Sequence, residues 1–260
     1  MDFLAYTHEN DSFISRLKGA VKRYENKGES TQIGFIDDMM RRAAEQYFND
    51  IGFSDFFLFS THSDAARKFL SVGFFEKNDC DIVFLNIHPD KFHLPTHRDY
   101  MGALMSLKID RKLFGDLFVT ENSDAFLAVW NKGDIVSYLF ENFLSCGKAK
   151  LKLERVSADK FNSLKMRFEK LEVIVSSFRA DCFAASITNT SRTQAKLLIE
   201  KGEFKLFSYP VSDCNYQLSP GDEFSIRGYG KYRFDSVAGV TRRDRIRISL
   251  LKFGNYIERK

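Results

Sequence analysis

Five residues between 88 and 99 carry side chains that hold metals and move protons: His88, Asp90, His93, His97 and Asp99. Imidazole and carboxylate are the usual nitrogen and oxygen ligands of zinc. Their spacing speaks against such a site. Pro89 and Pro95 fix the stretch as a loop, which leaves no helical i, i+4 pairing. His97 reads better as a residue flanking a helix start, with Arg98 and Asp99 as a structural pair. Cys80, Cys146, Cys182 and Cys214 are scattered with no CxxC pair, the usage of reduced, buried thiols in a cytoplasmic protein. No nucleophile with a neighbouring base stands out. The chain is therefore expected to have no catalytic residue, no metal and no cofactor.

The other chemistry is cationic. In "SRTQAKLLIEKG" (191–202), Ser191 and Gln194 have capping-box spacing, and Gly202 stands where a helix ends. Ala195, Leu198 and Ile199 form a buried stripe. Arg192 and Lys196, four residues apart, share one edge of it. A helix start favours anions over cations. Arg192 is thus placed either for an external phosphate or as part of a solvated surface pair. Replacing both by Ala is expected to change stability by less than ~1 kcal/mol.

Further on, two segments alternate. In "FSIRGYGKYRF" Arg227, Tyr229, Lys231 and Arg233 have one parity, and Tyr232 and Phe234 the other. In "TRRDRIRISL" Arg243, Arg245 and Arg247 oppose Ile246, Ile248 and Leu250. Two strands with basic faces and an interleaved aromatic suit phosphate tracking and base stacking. Seven Lys and Arg stand against two Asp in 227–247, which favours RNA contact over a charged edge strand. Gly228 and Gly230 are positions where a bend would upset the parity.

Charge supports the same partner. The net charge of +4 is uneven: residues 150–260 hold 22 Lys and Arg against 13 Asp and Glu, whereas residues 1–149 hold 17 against 22. A basic end joined to an acidic front points to a polyanion, most commonly nucleic acid. No apolar run approaches the ~18 residues of a membrane span, and the opening "MDFLAYTHENDSF" is too polar for a signal peptide.

The elements that must position these residues predict an α+β chain of three small domains. Residues 1–75 read as a mostly helical N-terminal domain: "SFISRLKGAVKRYEN" and "GFIDDMMRRAAEQYF" have 3.6-residue periodicity, "FFLF" is a strand, and "SDAARKFLSVGF" reads as a capped short helix. Residues 79–156 read β-α-β-β-α-β, the order shared by ferredoxin-like and RRM-like domains, with no evident RNP-type stacking motif. Residues 157–170 read as a linker helix, and 171–260 as the basic domain.

The stretch "FRADCF…SRTQAKLLIEKGEFKL…LSPGDEFSI" resembles the S-four RNA-binding module, in which two helices and a strand grip structured RNA. The matching positions are Arg179, Asp181, Ser191, Arg192, Ala195, Leu198, Ile199, Gly202, Gly221 and Asp222. The resemblance puts Arg179, Ser191, Arg192, Lys196 and Lys201 toward RNA. Leu206-Phe207 stands where members often have Val-Asn, so no RNA contact from that Asn carries over. "HRDYMGALMSLKIDRKLFGDLFV" (97–119) resembles the middle-domain signature of the YlmH family. "SIRGYGKYRF" and "GVTRRDRIRI" resemble its C-terminal extension. "TQIGFIDD" and "DAARK" resemble its N-terminal domain, with Ala66 where an acid is usual. The resemblance implies a cytoplasmic, non-enzymatic RNA-binding protein of bacteria and plastids, and the chain is expected to be a monomer. Its partners would be ribosomal RNA or tRNA on the large ribosomal subunit, in quality control of stalled peptidyl-tRNA; an older link is to cell division. The competing class is a pseudouridine-synthase-like enzyme. Those carry an Arg-Leu-Asp motif in a large mixed domain, whereas Arg179-Ala180-Asp181 lies in the small module.

Overall fold

The computed structural model describes residues 8–74, 80–207 and 209–258. The opening stretch 1–7 and the expected domain edges at 75 and 79 lie outside them. The chain forms two compact units, Met1–Lys165 with Tyr256–Lys260, and Met166–Asn255.

The first unit starts with α1 (His8–Lys27), β1 (Thr31–Ile36), α2 (Asp38–Asp50), β2 (Phe56–Ser60) and β3 (Lys68–Val72). Beside the two helices this region holds more strand than the expected "FFLF": three strands form an antiparallel sheet in the order β1-β3-β2. Ile36 stays outside α2 because Asp37 caps it, accepting from the Met40 amide at 2.9 Å. "SDAARKFLSVGF" is not a helix. Its apolar run is buried on both faces as β3, which periodicity alone cannot tell from a short helix. The Asp64 amide donates to His62 Nδ1 in a turn.

Next come β4 (Ile82–Pro89), α3 (His97–Ser106), a 3-10 turn at Arg111–Leu113, β5 (Phe114–Val119), β6 (Ala125–Trp130), α4 (Ile135–Asn142), β7 (Ser145–Cys146) and β8 (Ala149–Val156). The sheet order is β5-β6-β4-β8-β7, antiparallel throughout. Without the two-residue β7 this is the split β-α-β-β-α-β arrangement. Thr96 and Asp99 close a capping box on α3. Leu85, Ile87, Leu127 and Val129 face Tyr100 and Leu104 of α3 and Val136 and Leu139 of α4.

The other face of this sheet is also covered. The expected linker helix is only α5 (Ala158–Ser163), and its Phe161 lies 4.6 Å from the Phe84 ring and 5.4 Å from Phe118. Tyr256 lies tilted against Phe118 at 4.3 Å, and Phe69 of β3 meets Trp130 edge-on at 5.2 Å. After Ser163 the chain is strand, β9 (Leu164–Val175): Leu164 and Phe168, which with Phe161 suit a helical period, also fall with Met166 on a two-residue one.

The second unit adds α6 (Ala180–Thr188), α7 (Arg192–Glu200), β10 (Phe204–Leu206), β11 (Tyr209–Pro210), β12 (Glu223–Ile226), β13 (Gly230–Val240) and β14 (Ile246–Glu258). Its sheet runs β11-β10-β12-β13-β14-β9. Phe204, Phe224, Phe234 and Leu250 from the strands pack with Phe183 of α6 and Ala195 and Ile199 of α7.

Candidate nucleic-acid interface

The two short helices of the second unit are braced by one carboxylate. Asp181 is fully buried. It accepts a two-pronged contact from Arg179, Nε at 3.1 Å and a terminal nitrogen at 3.0 Å. Arg192, across the helix turn, donates to the same group at 2.9 Å. Burial pushes the Asp181 carboxyl up, but the Arg179 and Arg192 hydrogen bonds outweigh it and hold the group below the usual carboxylate range.

Arg192 therefore answers an internal anion first, which neither sequence reading had weighed. Its side chain is still 52% exposed, so part of the guanidinium remains open to solvent. With this contact, loss of Arg192 is now expected to lower stability rather than leave it nearly unchanged. Asp181→Ala should destabilise the second unit by about 2 kcal/mol, leaving two cations without their shared partner. A folded pKa below the unfolded ~3.9 means this stability is present above pH ~4 and lost as pH falls. Urea melts at pH 7 and pH 3 read both effects; a variant that differs from wild type equally at both pH values would contradict the assignment.

The remaining features of α7 follow the sequence. Ser191 and Gln194 form the capping box, Gly202 has φ +70°, and Lys196 and Lys201 are exposed at the edge. Phe207, in the position where Asn was expected, has φ +46°, a left-handed conformation that a bulky residue adopts only at a cost of about 1–2 kcal/mol.

The basic strands are built differently from the alternation. Ile226 pairs with Gly230, so Arg227, Gly228 and Tyr229 form the tip of the β12–β13 hairpin and do not share a strand face with Lys231 and Arg233. Gly228 (φ +84°) and Gly230 (φ +125°) permit that turn. Lys231 and Arg233 do share a face, but Glu223 engages both, at 2.7 and 2.6 Å. Their charges also lie over the Phe253 ring, at 4.4 and 5.4 Å. Arg227 is freer, 77% exposed with Glu203 no nearer than 3.9 Å.

The β13–β14 hairpin carries the open charge. Val240 pairs with Ile246, so Arg243 and Arg245 stand in the loop 241–245 and only Arg247 lies in the strand. The Thr241 amide donates to Arg245 O at 2.7 Å, and Asp244 takes φ +54° to close the turn. Arg247 lies across Gly239, where an added Cβ would sit 3.4 Å from its guanidinium. Sequence reading passed over Arg242, which joins the others at the tip; the signal was there in a T-R-R-D-R turn. All four arginines are exposed, and none has an acid within ion-pair distance among the described residues.

The histidine-carboxylate stretch separates into local pairs. His88 sits between Asp124 (3.0 Å) and Glu154 (3.3 Å), and His93 pairs with Asp90 at 2.9 Å. The Lys150 backbone N–H and the His93 ring bring the Asp90 carboxyl down to about 2. Burial, and then Arg111, lower the His97 imidazole. No metal-holding group of three forms among the described residues. The sheet face on which an RRM stacks bases holds Phe84 and Phe118, already covered by Phe161 and Tyr256.

The structure thus combines a split-βαβ domain, a helix pair braced by one carboxylate, and hairpins with arginine at their tips. The family model described as "Putative RNA-binding domain in YlmH" matches residues 76–160. Ribosome-associated protein quality control protein P2 of Bacillus subtilis (strain 168) is 29% identical over 175 residues, 67% of this chain and 67% of that protein. The solved structure of cell division protein ylmH from Streptococcus pneumoniae has a TM-score of 0.48 at 18% identity, over 62% of this chain and 99% of that one. Over residues 76–160 the chain is similar to the RNA-binding domain of the YlmH family.

Proposed function

We propose that this protein is a cytoplasmic, non-catalytic factor that grips structured ribosomal RNA or tRNA on the large ribosomal subunit and acts in the quality control of stalled peptidyl-tRNA. The observation that carries the reading is the β13–β14 tip, where four arginines meet no carboxylate among the described residues. Cations held out on a hairpin without internal partners among the described residues suit phosphate contact, which supplies most of the affinity for nucleic acid. The half-open Arg192 and the exposed Lys196 and Lys201 supply further contacts on the helix pair. The name of the Bacillus subtilis relative supports the ribosomal setting.

Co-sedimentation of the full chain with purified large subunits, and filter binding to a ribosomal RNA fragment, test the reading. Submicromolar binding to the RNA that weakens steeply with salt is the expected result. Binding no tighter than to a DNA duplex of equal charge would sink it. Modified uridines in RNA incubated with the purified protein would move the reading to the enzyme class.

A further inference from the structure

The acidic front half of the chain holds a cationic groove of its own, about 530 Å3 in volume, on the first unit. Arg16 and Arg23 reach it from α1, Lys112 from the 3-10 turn, and Lys132 from just beyond β6. Among the described residues one carboxylate pairs with them. Asp110 binds Lys112; burial pushes its carboxyl up, and Lys112, with Arg16 further off, brings it below the usual range. Where the groove continues past Trp130, Asp81 is occupied by the Asn131 amide at 2.9 Å.

Two features indicate that the groove is built to admit something. The first is Gly19. Ser12, Arg16, Gly19 and Arg23 recur at i, i+4, i+7 and i+11, so they form one stripe along α1. Glycine inside a helix costs about 1 kcal/mol against alanine. No neighbour among the described residues requires it there, because an added Cβ would make only an ordinary 3.7 Å contact with the Arg23 guanidinium. The missing side chain leaves the floor of the groove low between two cations.

The second feature is rigidity. Gly34 has φ +105°, and a Cβ on it would lie 2.7 Å from the Lys112 carbonyl and 3.1 Å from the Trp130 ring. The β1 backbone is thus pressed against the turn that bears Lys112 and against the ring over which Lys132 sits, 4.8 Å from its centroid. The walls keep their spacing before any ligand arrives, which lowers the cost of binding. Arg16 and Arg23 are two helical turns apart, about 10 Å. That span is longer than one phosphate group and fits successive phosphates along a strand.

We propose that this groove is a second RNA-backbone site, holding a nucleic-acid strand by its phosphates on the unit that lacks the arginine-tipped hairpin. It rests on the RNA-binding reading above, and the test separates the two. The experiment titrates salt against the affinity of the full chain for a ribosomal RNA fragment. It compares wild type, Arg16→Gln/Arg23→Gln/Lys132→Gln, the conservative Arg16→Lys/Arg23→Lys, and Arg243→Ala/Arg245→Ala/Arg247→Ala.

The groove variant should bind at least roughly tenfold more weakly at 0.15 M salt, with the slope of log affinity against log salt shallower by about 2, while the lysine variant keeps the wild-type slope. Trp130, the single tryptophan, reports occupancy beneath Lys132 by its fluorescence. If the groove variant keeps wild-type affinity and slope while the hairpin variant loses binding, this inference falls and the RNA-binding reading stands. If wild type binds no RNA, both fall. Saturation of the Trp130 signal by millimolar inorganic phosphate would mark a small-anion pocket and overturn the strand site. Thermal melts run alongside; should the triple variant melt early, single Arg23→Gln and Lys132→Gln variants carry the test, each with an expected slope change of about 0.7.

Discussion

Arg67→Met lowers the stability of the first unit by about 3 kcal/mol in urea melts followed through Trp130. Arg67 is a part-buried cation whose hydrogen bonds go to backbone carbonyls: Phe35 O at 2.7 Å and Phe114 O at 3.1 Å. Its own amide donates to Asp116 Oδ2 at 2.8 Å. Arg111 completes the cluster, donating to Phe114 O at 2.6 Å and Gly115 O at 3.0 Å. Through these contacts β1, β3, the 3-10 turn and β5 share one polar joint. Gly115 lets the elements close, since a Cβ there would be 3.1 Å from the Phe35 ring and from Ala128.

Methionine keeps most of the volume of Arg67 and none of its donors, so buried carbonyls lose partners and Asp116 loses a nearby cation. Burial, then the Arg67 charge, brings the Arg111 guanidinium down to about 10, still protonated at neutral pH. Burial also raises Asp116, against the pull of the Arg67 amide and both guanidiniums. A carboxyl raised on folding contributes stability at low pH that is lost as pH rises through its folded value. Acid below pH ~4 therefore spares this joint while it weakens the Asp181 brace. A stability change below about 1 kcal/mol would show that the cluster is not a joint.

Removing the hairpin charge has the largest expected effect on binding. Arg243→Ala/Arg245→Ala/Arg247→Ala should leave the melting temperature nearly unchanged, because the three side chains are exposed and without acid partners among the described residues. Each lost phosphate contact removes about 0.7 to 0.9 from the magnitude of the slope of log affinity against log salt. Three lost contacts at 0.15 M salt, referred to 1 M, weaken binding on the order of 50- to 150-fold. Adding Arg242→Ala should extend the series by one further step. The Lys231→Ala/Arg233→Ala pair should fall well short of it, since Glu223 already neutralises much of their charge. Equal losses from the two sets would mean that the strand face, not the tip, meets the RNA.

The amino-acid sequence by itself determined the local elements whose signals lie within a few residues. The Ser191–Gln194 capping box, the Gly202 stop, the buried stripe of α7 and the β-α-β-β-α-β order are all local. So is the concentration of positive charge after residue 150. It misled where a short apolar run fits two periods, as at "KFLSV" and after Ser163, because burial on both faces removes the alternation that marks a strand. It misled again where a positive φ breaks parity inside a run that looks continuous, as at Gly228, Gly230 and Asp244.

Only the tertiary structure decided which cations are free. Arg192, Lys231 and Arg233 looked as available as Arg243, Arg245 and Arg247, yet Asp181 and Glu223 claim the first three. The same holds for Arg111 and Asp116, whose place in a middle-domain signature hid their contact with Arg67, and for Arg16 and Lys132, more than a hundred residues apart on one groove. An ion pair depends on distances of a few ångströms between residues remote in sequence. Those distances exist only once the chain has packed.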